Sequence, residues 1–268
     1  MPKTESQIFE AAMESAFSMT GIATKYSGER PELGFELDSY PEMTLFRLER
    51  WATIQFMGLL RLLANEETAY VAEVVLRGLL ENLAHVWWIQ RGGDDGRDSR
   101  QCRAIRMELG MASELVQTIE HTPPQFVPDG SAQVASDRLD HFNAVYQSAN
   151  CAGRARKYGS VSESLVEIDN PFGFAWLHQM WNVGSMVSHQ GLLDRIMRDI
   201  GNGVTVVGKP ATLAERVVLL ERASSVYGLI GRELLRTNSP ADLPSLDAVM
   251  MTFKANCKEL YERLAAKP

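Results

Sequence analysis

Four polar residues stand at four-residue intervals in an otherwise apolar stretch of the chain, residues 66–90. They are Glu73, Arg77, Glu81 and His85. Because an α-helix turns about 100° per residue, steps of four drift by only about 40°. The side chains therefore form one ribbon roughly 120° wide, in which Arg77 can pair with the carboxylate before or after it. The apolar remainder predicts a helix that is buried on most sides.

A second polar row with the same spacing follows about a hundred residues later, on a helix predicted over residues 172–198. Its members fall within about 60° of one another. None of them carries a formal charge when histidine is counted as neutral, so a row of satisfied polar groups inside the core is the plainest interpretation. The row comprises His178, Asn182, Ser185 and His189.

We expect the two rows to face each other in a polar seam between the two helices. In that arrangement Arg77 and Glu81 would satisfy buried polar groups of the other helix. The competing interpretation places the charged row on a solvent-exposed face, where i,i+4 charge pairs are common. If the rows meet, the residues that converge are Arg77, Glu81, Ser185 and His189.

Binding without catalysis is the function that the seam favours most. It would hold a small polar ligand, or fix the register of a subunit interface. We therefore expect a homo-oligomer and no cofactor, and the sequence leaves open whether the chain is an enzyme. The candidate ligand-binding residues are His85, His178, Asn182 and Ser185.

Phosphoester cleavage is the main enzymatic alternative, and RNA would then be a partner. A histidine base and an arginine on the phosphate are the minimum set for this chemistry. Arg77 and His85 are separated by about 12 Å along a helix axis, too far for one phosphate, so the base would be His189. The candidate catalytic residues are Arg77, Glu81 and His189.

Two other chemistries fit the seam less well. Glu81 and His85 have a spacing that places two metal ligands on one helix face, but Arg77 beside them would repel a cation, so no metal site is predicted. Ser185 and His189 with Glu81 could imitate a hydrolase triad, yet no strand–turn–helix context surrounds the serine.

A basic flank lies on both sides of the glycine-rich residues 92–96. Steps of three spread its last four arginines over about half of a helix circumference, so they form a broad surface. A solvated face balanced by neighbouring aspartates is the plainer interpretation, and contact with RNA or an acidic partner is the alternative. The flank comprises Arg91, Arg97, Arg100, Arg103 and Arg106.

Two short segments carry a family resemblance. Residues 76–84 with 87–89, and residues 185–191, together resemble a bacterial family of all-helical proteins catalogued as a domain of unknown function. Members of that family typically show an R-x-x-x-E helix and a later S-x-x-x-H helix. By this resemblance the matching positions are Arg77, Glu81, Ser185 and His189.

The resemblance covers roughly residues 51–198 and implies an all-helical fold without supplying an activity. A looser likeness, at the level of the fold, links the chain to HEPN-type helical proteins of stress response and phage defence. Helical ribonucleases of that type carry R-x(4–6)-H on one helix, and this chain has no such motif.

The segments that must position these residues have helical periodicity almost throughout, and the strand-like stretch 204–207 cannot build a sheet alone. We therefore predict an all-α fold, a single-domain bundle of seven to nine helices over residues 1–268. In the segment 41–64, apolar residues at every third position predict the buried face: Leu45, Leu48, Trp51, Ile54, Met57 and Leu60. The predicted helices are one after an N-cap at Thr4, then 41–64, 66–90 after an N-cap at Asn65, 97–120, 131–152, 160–168, 172–198, one from a capping box at Thr212 to 236, and 246–265.

Composition excludes several classes of protein. The chain is 45% apolar and 23% charged with a net charge of −7, so binding of nucleic acid by bulk electrostatics is not expected. The three cysteines lie far apart without metal spacing, and we interpret them as free thiols in a reducing cytosol. Without a signal peptide or an apolar run of about eighteen residues, we predict a cytoplasmic protein with no membrane contact.

Overall fold

The computed structural model describes residues 3–24, 40–151, 159–169, 176–186 and 210–266. These described residues form nine α-helices and no strand, which confirms the predicted all-α bundle. The strand-like stretch 204–207 lies outside them, and a single domain over residues 1–268 stays a prediction. The helices are α1 (Glu5–Ala23), α2 (Tyr40–Ala64), α3 (Ala72–Gln90), α4 (Arg100–His121), α5 (Ser131–Ser148), α6 (Val161–Asp169), α7 (Trp176–Met186), α8 (Leu213–Asn238) and α9 (Leu243–Ala265).

Capping boxes begin α1 and α8 at the residues that the sequence predicts. Thr4 Oγ1 accepts from the Gln7 N–H at 3.3 Å, and Gln7 Oε1 accepts from the Thr4 N–H at 2.8 Å. Thr212 and Glu215 form the same reciprocal pair, with 2.8 Å between the Thr212 nitrogen and the carboxylate. Each box satisfies N–H groups that a helix cannot pair internally, so both predicted N-caps are confirmed.

α3 begins later than the sequence predicts. Asn65 Oδ1 accepts a hydrogen bond from the Glu67 N–H at 2.9 Å, which closes a turn of the kind that asparagine favours. Turns therefore occupy residues 66–68, a short 3₁₀ helix covers Ala69–Val71, and the α-helix starts at Ala72. The prediction of Asn65 as the N-cap of this helix is wrong, because its side chain stabilises the preceding turn.

α3 is the central helix of the larger hydrophobic core. Its Leu79, Leu83, Val86 and Ile89 are fully buried, and α2, α6, α7 and α8 all pack against it. α1 and α9 pack on each other and on α8 to complete this core. The prediction that this helix is buried on most sides is confirmed. None of the described helices combines the length and apolar character needed to cross a membrane.

The buried face of α2 is predicted only in part, because Leu45, Leu48 and Leu60 are buried as expected. Trp51 and Ile54 are 59% and 58% exposed. The buried positions instead follow a mixed three- and four-residue spacing through Ala52, Phe56 and Leu59. Apolar residues taken at every third position drift by about 60° per step, so a long run of them leaves the buried face.

A smaller hydrophobic cluster joins α4, α5 and the first turns of α2. Tyr40, Ile105 and Phe142 are among its buried residues. The Tyr40 and Phe142 rings meet edge to face, with 5.9 Å between their centroids. This cluster fixes α5 on α4 and brings the start of α2 against both helices.

A disulfide joins the start of α4 to the residues after α5. Cys102 and Cys151 are bonded, and their Cα atoms lie 5.3 Å apart. The free-thiol prediction is therefore wrong for these two cysteines, since two antiparallel helices can return residues that are far apart in sequence to the same place. Cys257 is buried in the larger core and belongs to no disulfide.

Candidate functional site

The charged row of α3 lies at the boundary between core and solvent. Arg77 Nε donates to Glu81 Oε1 at 3.1 Å, and the two side chains are 26% and 37% exposed. The i,i+4 pairing predicted for these residues is confirmed. Their half-buried position corresponds neither to a fully solvated row nor to a fully buried one.

α7 reaches this ion pair through a tryptophan. The Trp181 Nε1–H donates to Glu81 Oε1 over 3.4 Å, and the Arg77 guanidinium carbon lies 5.8 Å from the Trp181 ring centroid. One carboxylate oxygen therefore accepts from donors on two helices. The sequence interpretation treated Trp181 only as part of the apolar surface. Its indole N–H could have indicated a polar contact, because such a group usually has an acceptor when it is buried.

His178 lies beside Trp181 on α7 but turns toward α6. Their ring centroids are 6.4 Å apart, and His178 Nε2 lies 2.8 Å from Ser162 Oγ and 3.4 Å from Asn182 Nδ2. Two predicted ligand-binding residues, His178 and Asn182, are thus in contact, together with a serine that the sequence reasoning missed. We call the connected group Arg77, Glu81, Trp181, His178 and Ser162 the polar junction.

A buried carboxylate fixes the start of α7. Asp169 Oδ2 accepts from the backbone N–H groups of Leu177 at 2.7 Å and His178 at 3.2 Å. The last residue of α6 therefore satisfies donors in the first turn of the next helix. Burial raises the pKa of Asp169, and the two backbone hydrogen bonds oppose that rise. This cap sets the position of the α7 side chains that meet α3 and α6.

His85 lies one turn beyond Glu81 and is neutral at physiological pH, because burial lowers its pKa to about 4. A neutral imidazole has one donor and one acceptor but no positive charge to offer an anion. The residue is therefore suited to hydrogen bonding with an uncharged group. In the described ranges, no three His, Cys, Asp or Glu side chains are grouped as metal ligands.

The structure does not describe the side chains of two predicted site residues. Ser185 belongs to α7 by its backbone, but its side chain is not described, and His189 lies outside the described ranges. The structure brings Arg77 and Glu81 together and adds Trp181 from α7. The convergence of Ser185 and His189 on them stays a prediction.

Ser162 and His178 lie at the hydrogen-bonding distance that separates a nucleophile from its base in a catalytic triad. In a working triad a carboxylate orients the imidazole through Nδ1. Among the described residues no carboxylate forms a hydrogen bond to His178 Nδ1. The junction combines a carboxylate, a guanidinium, an indole N–H and an imidazole–hydroxyl pair.

Two arginines of the basic flank are used in packing. The Arg103 and Arg106 guanidinium carbons lie 5.4 and 5.2 Å from the Trp88 ring centroid. Both pair with Asp98, at 2.7 and 3.6 Å, and the hydrogen bond from Arg103 lowers the pKa of that carboxyl group. Balance by a neighbouring aspartate is confirmed for these two residues. The predicted solvated face is wrong for them, because their side chains are only 16% and 12% exposed and join α3 to α4.

An open groove of about 680 Å³ lies elsewhere, between α1, the end of α2 and the start of α8. Exposed Glu10 and Glu14 stand on its α1 side. Arg216 also lines it, but its guanidinium donates to the carbonyls of Leu63 at 2.7 Å and Ala64 at 3.0 Å, where it ends α2. The groove contains none of the predicted site residues.

No protein-family model, no curated protein and no solved structure matches this chain. The resemblance carried by Arg77, Glu81, Ser185 and His189 therefore stays a prediction.

Proposed function

We propose that the polar junction binds a small polar ligand at the surface between α3 and α7. One observation carries the proposal. Glu81 Oε1 accepts from Arg77 and Trp181, while Glu81 Oε2 accepts no hydrogen bond from the described residues and the side chain is 37% exposed. A carboxylate has about four acceptor positions, so the second oxygen of this fixed and partly exposed carboxylate can accept from a ligand.

The charges of the junction favour a ligand with little net charge. Arg77 and Glu81 neutralise each other, and His85 nearby is neutral because of its low pKa. A molecule that offers neighbouring N–H or O–H donors, such as an amide, a sugar or a nucleoside, matches the acceptor on Glu81. The His178–Ser162 pair on the other side of Trp181 supplies a second polar contact.

The junction can be tested against a matched ion pair elsewhere in the chain. Glu81→Gln removes the charge with little change in shape. Glu259→Gln is the control, because Glu259 also pairs with an arginine four residues away, at 2.6 Å on α9. Wild type and both variants are heated with a panel of nucleosides, amino acids and sugars, and Tm is followed by scanning fluorimetry.

At one hundred times its Kd, a ligand adds about 2.7 kcal/mol to the free energy of unfolding, or roughly 5–10 °C in Tm for a chain of this size. We expect at least one compound to raise Tm in wild type and Glu259→Gln but not in Glu81→Gln. Equal stabilisation of all three proteins, or of none by any compound, would contradict the proposal. RNA cleavage by wild type that His189→Ala abolishes would support the enzymatic alternative instead.

Three sequence predictions belong with this proposal: a homo-oligomer, a cytoplasmic location and membership of the helical family described above. The disulfide removes the free-thiol argument for a reducing compartment. The location therefore depends on the remaining sequence argument.

A further inference from the structure

A second polar cluster lies where α2, α4 and α5 meet. Glu108 of α4 is completely buried, and its Oε1 accepts from Thr44 Oγ1 at 3.1 Å. Its Oε2 accepts from Arg47 Nη1 of α2 and from Arg138 Nη2 of α5, the latter at 2.8 Å. We call Arg47 and Arg138 the arginine pair. Sequence reasoning missed it because no spacing pattern relates residues on three different helices.

The arginine pair carries more positive charge than its partner can neutralise. One carboxylate stands against two guanidiniums, which leaves a net charge of about +1. The Arg47 and Arg138 side chains are 37% and 35% exposed, whereas Glu108 is inaccessible at 0%. The acid therefore holds both guanidiniums from beneath, and the surplus charge faces solvent.

Both arginines keep donors for an external group. Each guanidinium has five N–H donors in a fixed fork. Arg138 directs Nη2 to Glu108, and within the described part of the chain its Nε and Nη1 form no hydrogen bond. Arg47 directs Nη1 to the same oxygen and Nη2 to the Met43 sulfur at 3.7 Å, a weak acceptor.

Aromatic residues of α2 and α5 hold the Arg138 side of the cluster. The Arg138 guanidinium carbon lies 5.7 Å from the Phe142 ring centroid, which is also 5.2 Å from the His141 ring. His141 Nε2 lies 3.1 Å from the Tyr40 hydroxyl. His141 is exposed and follows Arg138 by three residues on α5, a spacing that places two side chains on the same face of a helix.

We propose that the arginine pair binds the phosphate group of a small phosphorylated molecule, with Glu108 as its buried positioning residue. Two nitrogens that share one acceptor oxygen lie within about 6 Å of each other, a span that the oxygens of one phosphate can bridge. Paired guanidiniums match phosphate in charge and in planar geometry. Asp140, the carboxylate two residues from Arg138, projects about 160° away around α5 and does not oppose the site.

Inorganic phosphate is the first probe, titrated into the intact protein by calorimetry at constant ionic strength, with acetate as the comparison anion. Arg138→Gln removes one guanidinium. Arg138→Lys keeps the positive charge but replaces the planar guanidinium by a compact ammonium group. Arg232→Gln is the matched control, because Arg232 on α8 is 52% exposed and pairs with Asp247 at 3.4 Å. Adenosine 5′-monophosphate is the second probe and distinguishes a free phosphate from one carried on a larger molecule.

We expect wild type and Arg232→Gln to bind phosphate more tightly than they bind acetate. Arg138→Gln should bind phosphate at least tenfold more weakly than wild type does. Arg138→Lys should have an affinity for phosphate between those of wild type and Arg138→Gln. Tighter binding of the nucleotide than of phosphate identifies the phosphate as an anchor for a larger ligand. If Arg138→Gln does not fold, the comparison of phosphate with acetate in the wild-type protein tests the proposal. Phosphate that binds wild type no better than acetate, or equally well in Arg138→Gln, overturns the proposal. Glu81→Gln should keep phosphate binding, so this site and the polar junction are tested independently.

Discussion

Single residues of α3 show how burial sets the charge of a polar group. Arg77 and Glu81 form an ion pair at the edge of the core. His85, one turn further on, is held neutral because burial lowers its pKa to about 4. One short row thus combines an ion pair with a neutral ring.

The low pKa of His85 predicts a specific loss of stability in acid. Its value falls from 6.5 to about 4 on folding, so the unfolded chain binds the proton more readily. The stabilisation is complete above about pH 6.5 and is lost as pH falls toward 4, amounting to about 3 kcal/mol at most. His85→Gln should therefore lose less stability than wild type between pH 7 and pH 4.5 in urea unfolding.

The exposed His121 on α4 supplies the control for this measurement. His121→Gln should follow the wild-type pH dependence, because titrating carboxylates contribute equally to both proteins. Identical slopes for wild type and His85→Gln would show that His85 titrates alike in the folded and unfolded chains.

At the scale of elements, the sequence predicts helices well where local chemistry decides them. The Thr4 and Thr212 caps were predictable because a capping box is complete within four residues. The buried face of α2 was predictable only in part, since residues at every third position drift by about 60° per step and packing partners decide which of them face the core. The prediction of Asn65 as an N-cap was wrong for a related reason, because an asparagine side chain can either begin a helix or close a turn.

Asp169 acts at this scale too, because it ends α6 and caps α7. Asp169→Ala removes the acceptor for two N–H groups and should lower the free energy of unfolding by about 1–2 kcal/mol. Asp169→Asn keeps an acceptor and should cost much less, since Asn and Asp are comparable caps. Denaturant unfolding of the two variants measures the difference, and equal losses would show that charge, not capping, is what the residue contributes.

At the scale of the whole molecule, the contacts that define both candidate sites cross between distant parts of the chain. Trp181 reaches Glu81 across 100 residues, and Arg47 reaches Glu108 across 61. Periodicity places each residue on a helix face but does not say which helices become neighbours. Arg77 and Glu81 were predictable as a pair within one helix, whereas Ser162, Trp181 and Glu108 became visible only in three dimensions.

The disulfide is the covalent link at this scale, and its removal should destabilise the smaller cluster. Closing a loop of 49 residues is worth about 4 kcal/mol in the chain-entropy estimate. The double variant Cys102→Ser/Cys151→Ser should show a correspondingly lower Tm. Dithiothreitol should lower the Tm of wild type but not that of the variant, and an equal effect on both would contradict a contribution from this bond.

The same bond encloses the connection between α4 and α5, in which Phe126 is 72% exposed. A protease that nicks the chain after this phenylalanine would leave two polypeptides still tethered through sulfur. The nicked protein would gain only the mass of one water molecule and would separate into fragments only once the disulfide is reduced.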